Sequence, residues 1–565
     1  MTKSKKCIFS RRQLPWVLLY FILACLCSAA VYSFIPSSLQ GEENTIAAEE
    51  RGGKHGITTE SENFIINVPS ENSNESQYYL AAVIDYDVSR FLITPIAVKN
   101  NLKSIVDIIG ECGRLMVDIV VFPEGGIFGF FPIGRIDALL ASSYVPATNE
   151  FIVPCNEPNY RESLVYHLSC AAKENNIYVA VNLIEKARSW KSTAWDGLVL
   201  YNTAVVFDRN GMVIARYRKF NLYKEKYFNE ITTTDEPEYV TFTTDFGVEF
   251  GIFTCFDLFF DEPALELVRK RNITHFIHLS QMLDRLPFLI ASVVDFGWSY
   301  ASDVVVLTSS IPSPGSNIHF GRRQGTRTYV RSFQTSNIII APVPKHLQQT
   351  IPQYPEEYRS LPKYNPVQKI KPSSFLKEHI QNKITSKRMI AGNENSSSFS
   401  YTSSTFQCNV KVSWKRLERF IPNYQFVAYS GLNNLSIASI NNYNEMCGIT
   451  LCSEISYSSC QLPPRFEDAT GVILESVHIS ARSTVLDSIR IPSVIDADLM
   501  PFDVAKFYFD SRAEEYSGKM MNVVDMRLEH PTTNLLTFGV YKFVSKSQPM
   551  DKFNIFDDQF NADTT

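Results

Sequence analysis

From Tyr79 to Thr308 the chain repeats one alternation, an apolar run followed by an amphipathic stretch, and few folds accept that pattern. Y-L-A-A-V-I at Tyr79–Ile84 and D-I-V-V-F-P at Asp118–Pro123 flank a stretch in which Leu102, Ile105, Val106, Ile109 and Cys112 recur at helical spacing. Runs that are apolar at successive positions read as strands covered on both faces, and helices between them predict a layered α/β structure. The pattern continues through I-Y-V-A-V-N-L, T-A-V-V-F, M-V-I-A-R-Y, F-G-I-F-T-C, H-F-I-H-L and D-V-V-V-L-T, with helices expected around Glu162–Lys173, from near Pro263, and through Trp298. D-R-N-G, set between T-A-V-V-F and V-I-A-R-Y, is a hairpin turn signal, so the sheet is expected to be mixed.

A chain of 565 residues is too long for one ordinary core, and 45% hydrophobic with 20% charged residues is a globular composition. The expected division is a targeting segment over residues 1–34, a flexible lead-in over 35–75, an α/β domain over 76–345, an extended linker over 346–400, and a smaller β-rich, disulfide-braced domain over 401–565. A formal net charge of -5 gives no electrostatic reason to expect a nucleic-acid partner. Lys3, Lys5, Lys6, Arg11 and Arg12 precede an uncharged apolar run from Leu14 to Phe34, the layout of a signal peptide or a signal-anchor. Both readings stand, because the run is long enough to span a bilayer while Ser28, Ala29, Ala30 and Ser33 suit a signal peptidase. Either places the rest of the chain in the secretory lumen, secreted or tethered, with membrane contact through the N-terminal segment alone or none after cleavage. The polar C-terminal end lacks the hydrophobic tail of a glycolipid anchor.

That compartment favours glycans at the sequons of Asn74, Asn272, Asn395 and Asn434, and disulfides among Cys155, Cys170, Cys408, Cys447, Cys452 and Cys460. If Cys255 stays a thiol, at least one other cysteine is unpaired. Cys112, on the apolar face of its helix, is the candidate.

Three strand ends carry the chemistry: V-V-F-P-E-G-G at Glu124, R-Y-R-K-F-N-L at Lys219 and G-I-F-T-C-F-D at Cys255. An acid, a cation and a thiol suit cleavage of an amide, since the thiolate attacks the carbonyl, the carboxyl moves protons and the ammonium steadies the oxyanion. Singly, Cys255 reads as a small buried strand residue, Glu124 as a turn acid and Lys219 as a surface lysine; together they read as a site. His275 and His278 form H-x-x-H, but strand alternation puts them on opposite faces, so no metal is expected. Arg322, Arg323 and Arg327 read either as a solvated loop or as a selector for an anionic substrate.

These segments resemble the nitrilase superfamily and, within it, the vanin and biotinidase branch. Further matches are A-R-Y-R-K-F-N-L, F-G-I-F-T-C-F-D, the P-C-N at Cys155, the L-S-C-A at Cys170, Leu286-Pro287 followed by Trp298, and the C-x4-C of Cys447 and Cys452. The resemblance implies a four-layer αββα sandwich with a second, smaller mostly-β domain. It implies hydrolysis of a small linear secondary amide, pantetheine- or biotin-amide-like, through a cysteine thioester and without a cofactor. Cys255 would be the nucleophile, Glu124 the proton acceptor, and Lys219 the proton donor or oxyanion stabiliser alongside the Phe256 N–H. Phe256, Trp298 and Glu225 would line or support the pocket, Glu225 falling one position nearer Lys219 than the family spacing. The chain departs from the branch at Leu279–Met282, where L-S-Q-M replaces Pro-Thr-Ala-Trp, at Asp295, where the branch has histidine, and around Gly325, where R-Q-G-T replaces G-S-G-I. Those changes motivate the alternative that the protein is a catalytically reduced relative that binds a small ligand.

Overall fold

A strand buried on both faces needs a layer on each side of its sheet, and the computed structural model supplies them. It describes residues 77–544 apart from 87, 89–93, 130–133, 190–191, 193, 224, 226, 230–236, 283, 285, 313–314, 324–328, 349–383, 390–393, 418–421, 435–440, 455–458, 461–470 and 487–488. The expected targeting segment and lead-in, with Asn74, Gly325 and Arg327, lie outside the described residues. Among the described residues no helix is long and apolar enough to cross a membrane.

The first half begins with β1 (Tyr78–Asp85), α1 (Thr94–Arg114), β2 (Ile119–Val121), α2 (Arg135–Leu140), β3 (Ser142–Ser143) and α3 (Leu164–Glu174). It continues with β4 (Tyr178–Arg188), β5 (Leu198–Phe207), β6 (Val213–Arg218), β7 (Thr241–Thr243), β8 (Glu249–Thr254) and α4 (Glu266–Arg271). It closes with β9 (His275–Met282), α5 (Ala291–Ser302), β10 (Val305–Pro312), β11 (Asn317–Phe320), β12 (Tyr329–Phe333) and β13 (Ser336–Pro344). One sheet runs β12-β13-β1-β2-β4-β5-β6, and a second runs β11-β10-β9-β8-β7. Both are mixed. β1, β2 and β4 are parallel, whereas β5 returns antiparallel to β4 and turns into β6 through the D-R-N-G hairpin. Gly211 of that turn has φ +78°, and a Cβ there would lie 2.4 Å from the Ser169 carbonyl oxygen, so glycine is required twice over.

The two sheets face each other across Ala81, Val83, Ile119, Val121, Ile252, Ile277, Leu279 and Val305. Behind the first sheet, Ile105, Ile109 and Cys112 of α1 pack with Val165 and Leu168 of α3. Behind the second, Val294 and Trp298 of α5 pack on Phe253, Phe276 and Val306. This is the αββα sandwich, and Cys112 is a buried free thiol within it.

The second half adds β14 (Thr385–Arg388), β15 (Ser396–Thr402), β16 (Phe406–Arg416), β17 (Tyr424–Asn434), β18 (Asn441–Leu451) and β19 (Val472–Ser483). It ends with β20 (Arg490–Ile495), β21 (Phe507–Tyr516), β22 (Lys519–Leu528) and β23 (Thr537–Val544). They form two five-stranded sheets, β14-β17-β18-β23-β20 and β15-β16-β19-β22-β21, joined across their shared core by Cys408–Cys447. Cys155–Cys170 and Cys452–Cys460 complete the disulfides of the described residues. Strand β14 and most of β15 fall within residues 346–400, read from the sequence as a linker; their polar, largely exposed edges hid the β pattern.

Helix α5 serves both halves. Its Val293, Phe296 and Tyr300 enter the core between the two C-terminal sheets, opposite the face carrying Trp298. Contact with β20 is close enough that a Cβ on Gly297 would sit 2.5 Å from the Pro492 carbonyl oxygen and 3.2 Å from the Ile491 Cβ. Alanine favours a helix over glycine by up to about 1 kcal/mol. Overpacking against backbone outweighs that gain, so Gly297→Ala is expected to lower stability by about 1–2 kcal/mol in urea unfolding. A variant as stable as the wild type would mean that the two halves are not in this contact.

Candidate active site

Glu124, Lys219 and Cys255 each follow the last residue or turn of a strand: Glu124 after β2, Lys219 after β6 and Cys255 after β8. Through the hairpin, β6 runs in the same direction as β2 and β4, so the two first-sheet side chains emerge at one edge. Carboxyl ends of strands are where an α/β fold collects reactive groups.

Lys219 and Glu124 are fully buried, with Lys219 Nζ 2.8 Å from Glu124 Oε1. Glu225, also fully buried, is the ammonium's second partner through its Oε1. Asn202 of β5 ties the carboxylates together, its Nδ2 donating to Glu124 Oε1 at 2.7 Å and to Glu225 Oε2 at 2.9 Å. Asn182 of β4 donates to Asn202 Oδ1 at 2.6 Å and accepts from the Gly125 N–H at 2.9 Å, fixing the turn that carries Glu124. Glu124 Oε1 thus has two donors, whereas its Oε2 is buried with no protein partner.

Cys255 holds a φ of +46°, costly for a residue with a Cβ, and its Sγ lies 3.5 Å from the Gln281 carbonyl oxygen. The turn behind it is braced by Asp257, which accepts from the Tyr217 hydroxyl at 2.8 Å, the Asn221 N–H at 2.9 Å and the Thr254 N–H at 3.0 Å. Burial and then the Glu124 charge push the Cys255 thiol well up, against the pull of the Lys219 ammonium. The resting group is therefore a thiol. A lone cation beside it would favour thiolate, but this cation is already shared by two carboxylates. For Lys219 burial opposes the charge, yet Glu124 and Glu225 outweigh it and hold the ammonium well above its usual range.

The remaining sequence candidates fall in different places. The Phe256 ring packs on Tyr223, Phe260 and Phe543 of β23, at centroid distances of 5.0, 5.1 and 5.5 Å, so the second half reaches the residue beside the thiol. Trp298 is wholly buried between α5 and the second sheet, against Phe253 and Phe276. Glu225 is brought into the site despite its altered spacing. His275 and His278 do lie on opposite faces of β9, one against Tyr79 and Phe250 and the other on Phe253. Asp295, standing where the branch has histidine, has its Oδ1 2.7 Å from His278 Nδ1, so an imidazole is still present in this packing. Arg322 and Arg323 hold the end of α5 through the Tyr300 carbonyl and Asp303. Asn272 and Asn395 are exposed; Asn434 ends β17, with its side chain outside the described residues.

Asn182 and Asn202 were missed, although each interrupts an otherwise apolar strand, and a buried amide is seldom left without a task. His278 and Asp295 were noted only for metal binding and for a departure.

A facing pair of α-backed sheets with this buried acid, cation and thiol defines a carbon-nitrogen hydrolase. Residues 80–284 match the carbon-nitrogen hydrolase family model and residues 374–548 that of the vanin C-terminal domain. Vanin-like protein 1 of Drosophila melanogaster is 30% identical over 496 residues, spanning 83% of this chain and 86% of its own length. Bos taurus pantetheinase is 34% identical over 264 residues, 44% of this chain and 51% of its own. Mus musculus biotinidase is 33% identical over 271 residues, 44% of this chain and 51% of its own. The chain belongs to the vanin branch of the carbon-nitrogen hydrolase superfamily. It is a hydrolase of carbon-nitrogen bonds.

Burial first, with the Glu124 charge, pushes the Glu225 carboxyl from 4.5 up to about 7, against Lys219 and the bonds from Lys219 and Asn202. A folded value above the unfolded one contributes stability that is complete below pH 4.5 and is lost as pH rises through about 7. Between pH 4.5 and 8 the wild-type melting temperature is therefore expected to fall relative to that of Glu225→Gln. A wild type that gains on the variant over this window would reverse the assignment.

Proposed function

We propose that Cys255 is the nucleophile, Glu124 the proton acceptor and donor, and Lys219 with the Phe256 N–H the oxyanion stabiliser. The observation that carries this reading is the division of labour on Glu124: Oε1 is held by Lys219 and Asn202 while buried Oε2 has no protein partner. Glu124 takes the thiol proton as sulfur bonds to the amide carbon, and the oxyanion forms against Lys219 and Phe256. Collapse breaks the carbon-nitrogen bond, and the amine leaves with the proton returned by Glu124. Water then gives Glu124 a proton, attacks the thioester and releases the acid as the sulfur is reprotonated.

The substrate class is a small linear secondary amide, on the pattern named by pantetheinase and biotinidase, held in a pocket to which Glu225 contributes charge control. Residues 76–345 form the catalytic domain and the chain beyond about 384 the β-rich domain. The protein enters the secretory pathway, secreted or tethered by its N-terminal segment, with glycans at exposed Asn272 and Asn395.

Incubating the purified lumenal chain with a panel of small amides, with amine release as the readout, tests this. Cys255→Ala is expected to abolish turnover. Glu124→Gln is expected to depress the chemical step, because its amide cannot take the proton. Lys219→Ala is expected to lower kcat by on the order of 10²-fold or more with a smaller change in KM. It also leaves two buried carboxylates uncompensated, so a stability loss of about 3–5 kcal/mol should accompany it. Equal ligand binding by wild type and Cys255→Ala, with no thioester detected by intact mass in either, would make the protein a binding module instead.

A further inference from the structure

The peptide that joins Cys255 to Phe256 is gripped from behind. His278 of β9 places its Nε2 3.3 Å from the Cys255 carbonyl oxygen. A carbonyl only accepts, so Nε2 carries the hydrogen and donates it. His278 is immobilised on two further sides, its ring stacked on Phe253 at 4.5 Å and 24° and its Nδ1 2.7 Å from Asp295 Oδ1, off the line of an ideal hydrogen bond. Both side chains of that pair are fully buried. Because Asp295 is on α5, the grip passes from the helix through the imidazole to the backbone of the nucleophile.

We propose that His278, seated by Asp295, is a positioning residue for the oxyanion site. It acts through the peptide whose far end is the Phe256 N–H, and so the inference rests on the role assigned to that N–H above. A trans peptide is planar, its C=O and N–H pointing in opposite directions, so anchoring the oxygen fixes the direction of the hydrogen. A hydrogen bond accepted at the oxygen also polarises the amide, making its N–H a stronger donor. The left-handed φ of Cys255 makes such an anchor necessary, because that conformation persists only where its surroundings over-determine it.

The test compares wild type, Cys255→Ala, His278→Phe, His278→Gln and Asp295→Asn in the full lumenal chain. kcat and KM are measured on an amide the wild type cleaves, and the alkylation rate of Cys255 is measured with iodoacetamide. Phenylalanine keeps the ring on Phe253 but cannot donate; glutamine presents an N–H where Nε2 stood. Alkylation displaces iodide at a saturated carbon and develops no oxyanion, so it separates loss of the oxyanion site from loss of the nucleophile. His278→Phe is expected to lower kcat by on the order of 10²-fold with KM within about threefold and alkylation within about twofold of wild type. His278→Gln should recover about tenfold of that loss, and Asp295→Asn should lower kcat severalfold with unchanged alkylation.

Unchanged kcat in His278→Phe overturns the inference, as does alkylation that falls in step with turnover. If His278→Phe does not fold, His278→Gln and Asp295→Asn decide, and an Asp295→Asn enzyme with wild-type kcat overturns the proposal. A wild type that cleaves no amide, or a Cys255→Ala variant that still does, defeats the proposed chemistry and the inference together; cleavage abolished only by Cys255→Ala leaves that chemistry standing and defeats the inference alone.

Discussion

An ammonium without water, lodged between two carboxylates, organises this protein. Moving one ion out of water costs several kcal/mol even after relaxation, so Lys219 is tolerable only because Glu124 and Glu225 meet it. Two anions around one cation leave a surplus negative charge, and the raised Glu225 carboxyl shows where that surplus is relieved by a proton. Burial first, and then the Glu124 charge, keeps Cys255 a thiol. In the proposed chemistry this couples nucleophile to base: the sulfur becomes reactive only as its proton departs, and the unpartnered Oε2 of Glu124 is the acceptor at hand. A free cation would instead favour the thiolate, the form of cysteine most open to oxidation.

Much of this was legible beforehand because the relevant signals are local. Doubly buried strands announce themselves as apolar runs, the D-R-N-G hairpin by its turn chemistry, and the reactive trio by its position at strand ends. Cys112 as a buried free thiol followed from the helical period of its neighbours. What stayed hidden depends on chain segments far apart in sequence. Asn182 and Asn202 acquire meaning only when β4 and β5 bring them beneath Glu124. The edge strand β14 is exposed along its whole length, and β15 alternates but with only Phe399 and Tyr401 as apolar residues among serines and a threonine, too few to betray it.

The departures from the family pattern illustrate the same limit. Read along the chain, Asp295 is a missing histidine and His278 a half-formed metal motif. Folded, they are neighbours on the back of the Cys255 turn, His278 on β9 and Asp295 on α5. Substitutions that look like losses in one dimension become a pair in three; the altered segments motivated the reading of a catalytically reduced relative, and the intact Glu124, Lys219 and Cys255 argued against it.

Helix α5 has one further implication, for the order of events during synthesis. Its Trp298 face packs on β8–β10, and Phe296 also meets His319 of β11, but the partners of Phe296 and Tyr300 on β21, Phe507 and Phe509, are made only after residue 490. While the ribosome makes the intervening stretch, the nascent first half carries a partly uncovered apolar stripe, a standing invitation to chaperone binding. Translation must therefore pass β21 before the helix that backs the sheet of Cys255 is covered on both faces.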